Sequence, residues 1–154
     1  MVVDVLCVCR RPPAWVATAS ADYIKRLARQ VELGFRYLHP GPDGADSAVR
    51  RRDEAARIGK ATKTGTHLVA LDPCGEQHSS TELAARLGVW RERHPHVTLV
   101  IGGADGFDRA WLAQAAERWS LSRLTLPHLL VQVVVAEQIY RAASILAGHP
   151  YHRS

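Results

Sequence analysis

Apolar positions recur along this chain with two alternating periods. Residues 2–9 are apolar almost without interruption, as in a strand covered on both faces. After Pro12 and Pro13, residues 15–30 carry apolar side chains at helical spacing, which predicts a helix with Trp15, Ile24 and Leu27 toward the core. Residues 33–38 read as a second strand. The turn-rich PGPDGAD (40–46) follows, with Asp46 or Ser47 placed to cap a helix running to about Ala61. The charge density of that helix predicts an exposed, mobile segment. Residues 67–71 form a third strand, and the loop DPCGEQHSS ends in residues able to cap a helix through about Arg93. Residues 97–101 form a fourth strand. GGADG comes next, then a helix over about 107–119, a short fifth strand within 121–126, and a long apolar helix over about 129–147. Strands alternating with helices, with no repeat or linker, specify a single α/β domain over residues 1–154 with a mainly parallel sheet.

The last helix is apolar over more than one face. Leu130, Val133, Val134, Ile139, Ala143 and Leu146 surround it, and one sheet face cannot cover them all. The spare face predicts a homodimer interface. The run approaches bilayer-spanning length, but Gln132, Glu137, Gln138 and Arg141 would be costly in lipid. It therefore reads as a buried helix, and no membrane is expected as a partner.

Composition narrows the class. An apolar share of 47% with 23% charged residues suits a folded domain and excludes a disordered chain. The formal charge of +5 favours a polyanionic partner, because Lys and Arg release counterions from phosphates. Arg50, Arg51 and Arg52 would fan around a helix and read first as solvated surface. Three cysteines are too few, and odd in number, for a disulfide framework. Cys7 and Cys9 share one face of a strand, Cys74 lies in a loop, and no second ligand pair accompanies them, so buried thiols are expected rather than a metal site. Asp4 interrupts the opening apolar run and Arg10, Arg11, Pro12 and Pro13 follow it, which is unlike a secretory leader. The expected location is the cytoplasm.

In parallel sheets, ligands collect at the carboxyl ends of strands. Three such ends carry unusual loops: Leu71-Asp72-Pro73-Cys74-Gly75, Gly102-Gly103-Ala104-Asp105-Gly106, and Leu124-Thr125-Leu126-Pro127-His128. The glycines permit close backbone approach and positive φ, which suits a nucleotide-like ligand or a plain tight turn. The run is neither a P-loop nor GxGxxG. His128 is either a helix-start residue without chemistry or a ligand-facing base.

LVIGGADGFD (99–108), LSRLTLPH (121–128) and VAEQIYRAASILAGHPYHR (135–153), with VALDPCG after the third strand, resemble the SPOUT-class methyltransferases. The likeness is to the small RlmH family, which methylates N3 of a pseudouridine in 23S ribosomal RNA. The resemblance runs over essentially the whole chain. It implies a trefoil α/β knot formed by about residues 99–154, a path that pattern reasoning alone would not propose because chain connections are almost always unknotted. It also implies a homodimer with its pockets beside the interface, and S-adenosylmethionine as cofactor. The matching cofactor positions are Leu71, Gly102, Gly103, Leu121, Ser122, Arg123, Leu124, Thr125 and Leu126. Tyr151, His152 and Arg153 match the family's terminal YHR and are the candidate catalytic and substrate-binding residues. The implied substrate is 23S ribosomal RNA within the large subunit or the assembled ribosome, since a chain this small has little surface for reading RNA sequence.

Three positions depart from the family pattern. Glu76 stands where Lys often follows, Gln132 replaces an Arg, and Cys9 occupies a place where Gly is common. The first two remove positive charge from the expected RNA face. Two alternatives stay open on the sequence: a SPOUT-fold RNA-binding protein with weakened catalysis, and a SPOUT methyltransferase acting on tRNA or a ribose 2′-hydroxyl.

Overall fold

The structure is a computed structural model and describes residues 1–27 and 31–153, without the side chains of His152 and Arg153. One sheet of five parallel strands runs in the order β2-β1-β4-β3-β5. The strands are β1 (Val2–Val8), β2 (Glu32–Leu38), β3 (His67–Gln77), β4 (His96–Ile101) and β5 (Glu117–Ser120). The helices are α1 (Ala14–Arg26), α2 (Ser47–Ala61), α3 (Ser80–Arg93), the single turn α4 (Arg109–Leu112) and α5 (His128–Leu146), followed by a 3-10 turn at Pro150–Arg153.

The continuous apolar run of β1 is explained by its place. It pairs on both sides, Val3 lying opposite Leu33 of β2 and Val97 of β4, and both of its faces are covered. Val3, Val5, Cys7 and Cys9 point into one core with α1, α3 and α5, whereas Leu6 and Val8 join Ile58 of α2 and Trp111 of α4 in a second. This two-residue alternation is the strand period at work. Asp4, the polar exception, meets Lys63 Nζ at 3.1 Å. Burial pushes the Cys7 and Cys9 thiols up from their ordinary range, which suits inert core residues.

Several expectations need correction. Trp15 is 54% exposed; it lies on the first turn of α1, and Val16 and Ser20 are the buried residues of that helix. Residues 28–30 of the expected helix lie outside the described residues. Asp46 caps α2 by accepting from Val49 N–H, as anticipated, but α2 is more than a solvated charged helix. It buries Ile58 and Glu54, covering the second face of the sheet, and Arg50 is bound to Asp105.

The expected helix over 107–119 shrinks to one turn. Asp108 caps it, but the N–H of Ala116 bonds to Leu68 O, and β5 begins pairing with β3 at Glu117. Strand pairing thus overrides the helix propensity of the alanines. The fifth strand is Glu117–Ser120, and 121–126, expected to hold it, has no partner strand among the described residues and is a loop. Cys74 is not in a loop either. β3 continues beyond Leu71, with Leu71 and Glu76 both opposite Trp119 and residues 72–75 bulging between them. A Cβ on Gly75 would lie 2.6 Å from backbone atoms of Arg118 and Trp119, so only glycine lets the two segments cross this closely.

After β5 the chain returns over the strand ends and lays α5 between α1 and α3. Its length and a mean hydropathy of 1.4 would suit a membrane span. Its Val135, Ala136, Ile139 and Ala142 are instead buried in the core, while Leu130 and Leu146 stay exposed.

Candidate active site

The carboxyl ends of β3, β4 and β5 and the start of α5 enclose a cavity of about 310 Å³. Its walls come from Leu71, Asp72 and Pro73 at the first strand end and from Ile101 to Ala104 with Gly106 and Phe107 at the second. Trp119 to Ser122 and Leu124 to Leu126 supply the third, and His128 and Val131 of α5 complete it. The volume lies at the small end of ligand sites, and leucines around a few backbone groups are the usual lining.

Each loop is shaped by its own local bonds. Asp72 Oδ1 accepts from the N–H of Cys74 at 2.8 Å, and its Oδ2 meets Arg118 at 3.2 Å, tying the bulge to β5. Gly106, at φ 75°, lets its N–H reach back to Gly103 O at 3.1 Å. The Ser122 hydroxyl accepts from Leu124 N–H at 2.9 Å and holds Leu124 at the rim, 76% exposed. These turns leave the loops in shape before any ligand arrives.

The glycine loop is also clamped from behind. Arg50 donates twice to the Asp105 carboxylate, at 2.6 and 3.2 Å. A Cβ on Gly103 would stand 2.6 Å from Glu54 Oε2, and one on Gly102 would stand 3.1 Å from the Phe107 ring. Glu54 Oε1 meanwhile accepts from Gly41 N–H at 2.9 Å. Of the three glycines, only Gly106 uses positive φ; Gly102 and Gly103 are glycine because neighbours fill the space of a side chain.

Behind the cavity, Glu117 organises the Trp119 wall. Its carboxylate accepts from the indoles of Trp119 and Trp90 at 2.9 and 3.0 Å and pairs with His67 at 2.6 Å. The two indoles stack at 4.9 Å, and His78 meets Trp119 edge-on at 4.8 Å. Burial would raise the Glu117 carboxyl, but the bonds from Trp90, His67 and Trp119 and the charge of Arg86 outweigh it and hold it below its ordinary range.

Eight of the nine cofactor candidates, namely Leu71, Gly102, Gly103, Leu121, Ser122, Leu124, Thr125 and Leu126, lie in the cavity wall. Arg123 does not, and is exposed at the surface of the same loop. Trp119 and Ser120 are walls that the sequence reading placed at a helix end, and so missed. Tyr151 is not a wall. Its hydroxyl donates to Glu137 Oε1 on α5, about 9 Å along the helix axis from Val131, the last wall residue. The side chains of His152 and Arg153 lie outside the described ones. Gln132 is fully buried and donates to Cys9 Sγ at 3.6 Å, so it removes no charge from an exposed face. Glu76 is exposed on β3 and is not a wall.

An all-parallel α/β sheet whose three strand-end loops and final helix line one cavity is an arrangement compatible with the SPOUT methyltransferases. The family model described as "Predicted SPOUT methyltransferase" matches residues 1–152, and the chain belongs to that family. It is 41% identical over 155 residues to the ribosomal RNA large subunit methyltransferase H of Methylococcus capsulatus, with 99% of this chain and 100% of that protein covered. The proteins of the same name from Stenotrophomonas maltophilia and Thiobacillus denitrificans are 44% and 43% identical, covering 94% and 99% of both chains.

Proposed function

We propose that the chain transfers a methyl group from S-adenosylmethionine to N3 of a pseudouridine in the 23S RNA of the large ribosomal subunit, in the cytoplasm. The cavity built by the three strand-end loops is the observation that carries this reading, and the names of the relatives support the choice of substrate. When bound, the cofactor supplies an electrophilic methyl on a sulfonium sulfur, and this displacement needs no metal.

The walls fit an adenosyl group. Leu71, Leu121, Leu126 and Ile101 would hold the flat ring, and the loop segments 102–104, 120–122 and 124–125 would meet its polar edges. Leu124, held at the rim by Ser122, excludes water once the site is filled. Methylation at N3 would require the base to give up its N3 proton to solvent water, so the chain's own residues would have to hold the base and its developing negative charge in place. Orienting the base and stabilising the anion that N3 becomes is work for a cation such as Arg153 or for His152.

The turn that carries these residues is fixed to α5 away from the cavity wall. In the homodimer we propose, this turn of one copy faces the cavity of the other, and the exposed Leu130, beside the cavity wall at the start of α5, lies on the covered face. Calorimetry with S-adenosylmethionine, followed by transfer of labelled methyl to large subunits, tests the reading. Absence of binding at millimolar cofactor refutes it.

A further inference from the structure

The resemblance puts Tyr151 at the substrate, yet its side chain is committed to its own fold. Its hydroxyl donates to Glu137 Oε1 at 3.2 Å and lies within electrostatic reach of the Tyr23 phenol of α1. Its ring stands edge-on to Tyr140 at 4.7 Å, and the Arg141 guanidinium lies 4.9 Å from its centre. Glu137 is itself gripped, by Arg141 at 2.7 and 2.9 Å and by the Gln138 amide at 2.6 Å. Gln138 in turn accepts from Ser80 of α3 at 2.8 Å. The socket therefore draws on α1, α3 and α5. The charged and titratable groups facing the phenol are Glu137, Tyr140 and Arg141 on α5 and Tyr23 on α1, with Arg26 packed behind Tyr23.

We propose that Tyr151 is a positioning residue: seated between Glu137, Tyr140, Arg141 and Tyr23, it anchors to α5 the 3-10 turn that continues into residues 152 and 153, and it is not the acceptor of the N3 proton. The proposal rests on the methyltransferase reading above. Seating the Tyr151 side chain ties down the turn at the point where residues 152 and 153 leave it, which limits how far that chain end can stray from α5. A phenol that already donates to a carboxylate cannot give up its proton without setting two anions side by side. Burial first, then the neighbouring Tyr23 phenol and the charge of Glu137, push the Tyr151 phenol up to about 12, so it stays protonated near neutral pH.

Two measurements test this on the intact protein. In the first, ring-labelled tyrosine NMR follows Tyr151 with pH. It should stay protonated to about pH 11 in the wild type and titrate at lower pH in Glu137→Ala, though still above the ordinary value of about 10, because burial and Tyr23 remain. Titration near 10 in both overturns the socket. In the second, methyl transfer from S-adenosylmethionine to large subunits is followed in variants. Tyr151→Phe keeps the ring and loses one charge-assisted bond, so kcat should fall about tenfold with cofactor affinity and pH profile unchanged. Glu137→Ala should fall equally, the double variant no further, and Glu137→Gln, which still accepts the bond, should recover most of the rate. Activity below detection or an altered pH profile in Tyr151→Phe makes the phenol a reacting group and overturns the proposal, as does a wild-type rate in either single variant. If Glu137→Ala does not fold, Glu137→Gln and Tyr151→Phe carry the comparison. A wild type that methylates no large subunit refutes the function reading, while the titration still reads the socket by itself.

Discussion

Arg50 and Asp105 face each other across the space between α2 and the glycine loop, joined by two hydrogen bonds of 2.6 and 3.2 Å. The charge and bonds of Asp105 raise the Arg50 guanidinium above its already high range. The pair is partly exposed, so it contributes little to global stability. Its effect is on the shape of 102–106, a cavity wall. Asp105→Asn and Arg50→Ala should leave the melting temperature almost unchanged and weaken S-adenosylmethionine binding several-fold. Unchanged affinity by calorimetry would detach this clamp from the site.

Glu117 predicts a pH dependence of stability. Its folded-state carboxyl is held below the unfolded value, so it contributes stability that is fully present above about pH 4.5 and is lost as pH falls through the folded value. Glu117→Gln removes that contribution. The variant should be less stable at pH 7, and its denaturation midpoint should fall less steeply than the wild type's as the pH drops below about 4.5. Parallel curves would show that the Trp90, Trp119 and His67 bonds do not hold the carboxylate ionised.

Gln132 and Cys9, two of the three positions where the sequence is expected to depart from the family pattern, touch each other. Gln132 is fully buried, and its Oε1 has no partner among the described residues. An arginine placed there would bury a charge in contact with the Cys9 thiol. Gln132→Arg should cost about 3 kcal/mol or more in denaturant unfolding. Adding Cys9→Gly, which frees space beside the guanidinium, should recover part of that loss. Strict additivity of the two would mean the positions are independent.

Much of this arrangement was legible in the residues themselves. The apolar run of β1, the Asp46 cap and the alternation of elements led to the parallel sheet, and the three strand-end loops led to the cavity. What local pattern could not supply was pairing between distant segments. Ala113 to Ala116 are good helix formers, yet Leu68 captures the N–H of Ala116 and ends the helix. The leucines of 121–126 suggest a short strand, but they line a cavity with no partner strand among the described residues. Gln132 looked like a surface change because charge in a sequence carries no depth. Tyr151 looked reactive because a motif gives neighbours in the chain, whereas its socket comes from residues 11 and 14 positions earlier and from α1.

The most direct test of the whole account is transfer of labelled methyl from S-adenosylmethionine to large subunits or ribosomes that lack the modification, with the product nucleotide mapped. The account predicts label on N3 of one pseudouridine in 23S RNA of the assembled particle, and none on free RNA. Label on tRNA or on a ribose 2′-hydroxyl, or no transfer by a protein that is folded and dimeric, would contradict it.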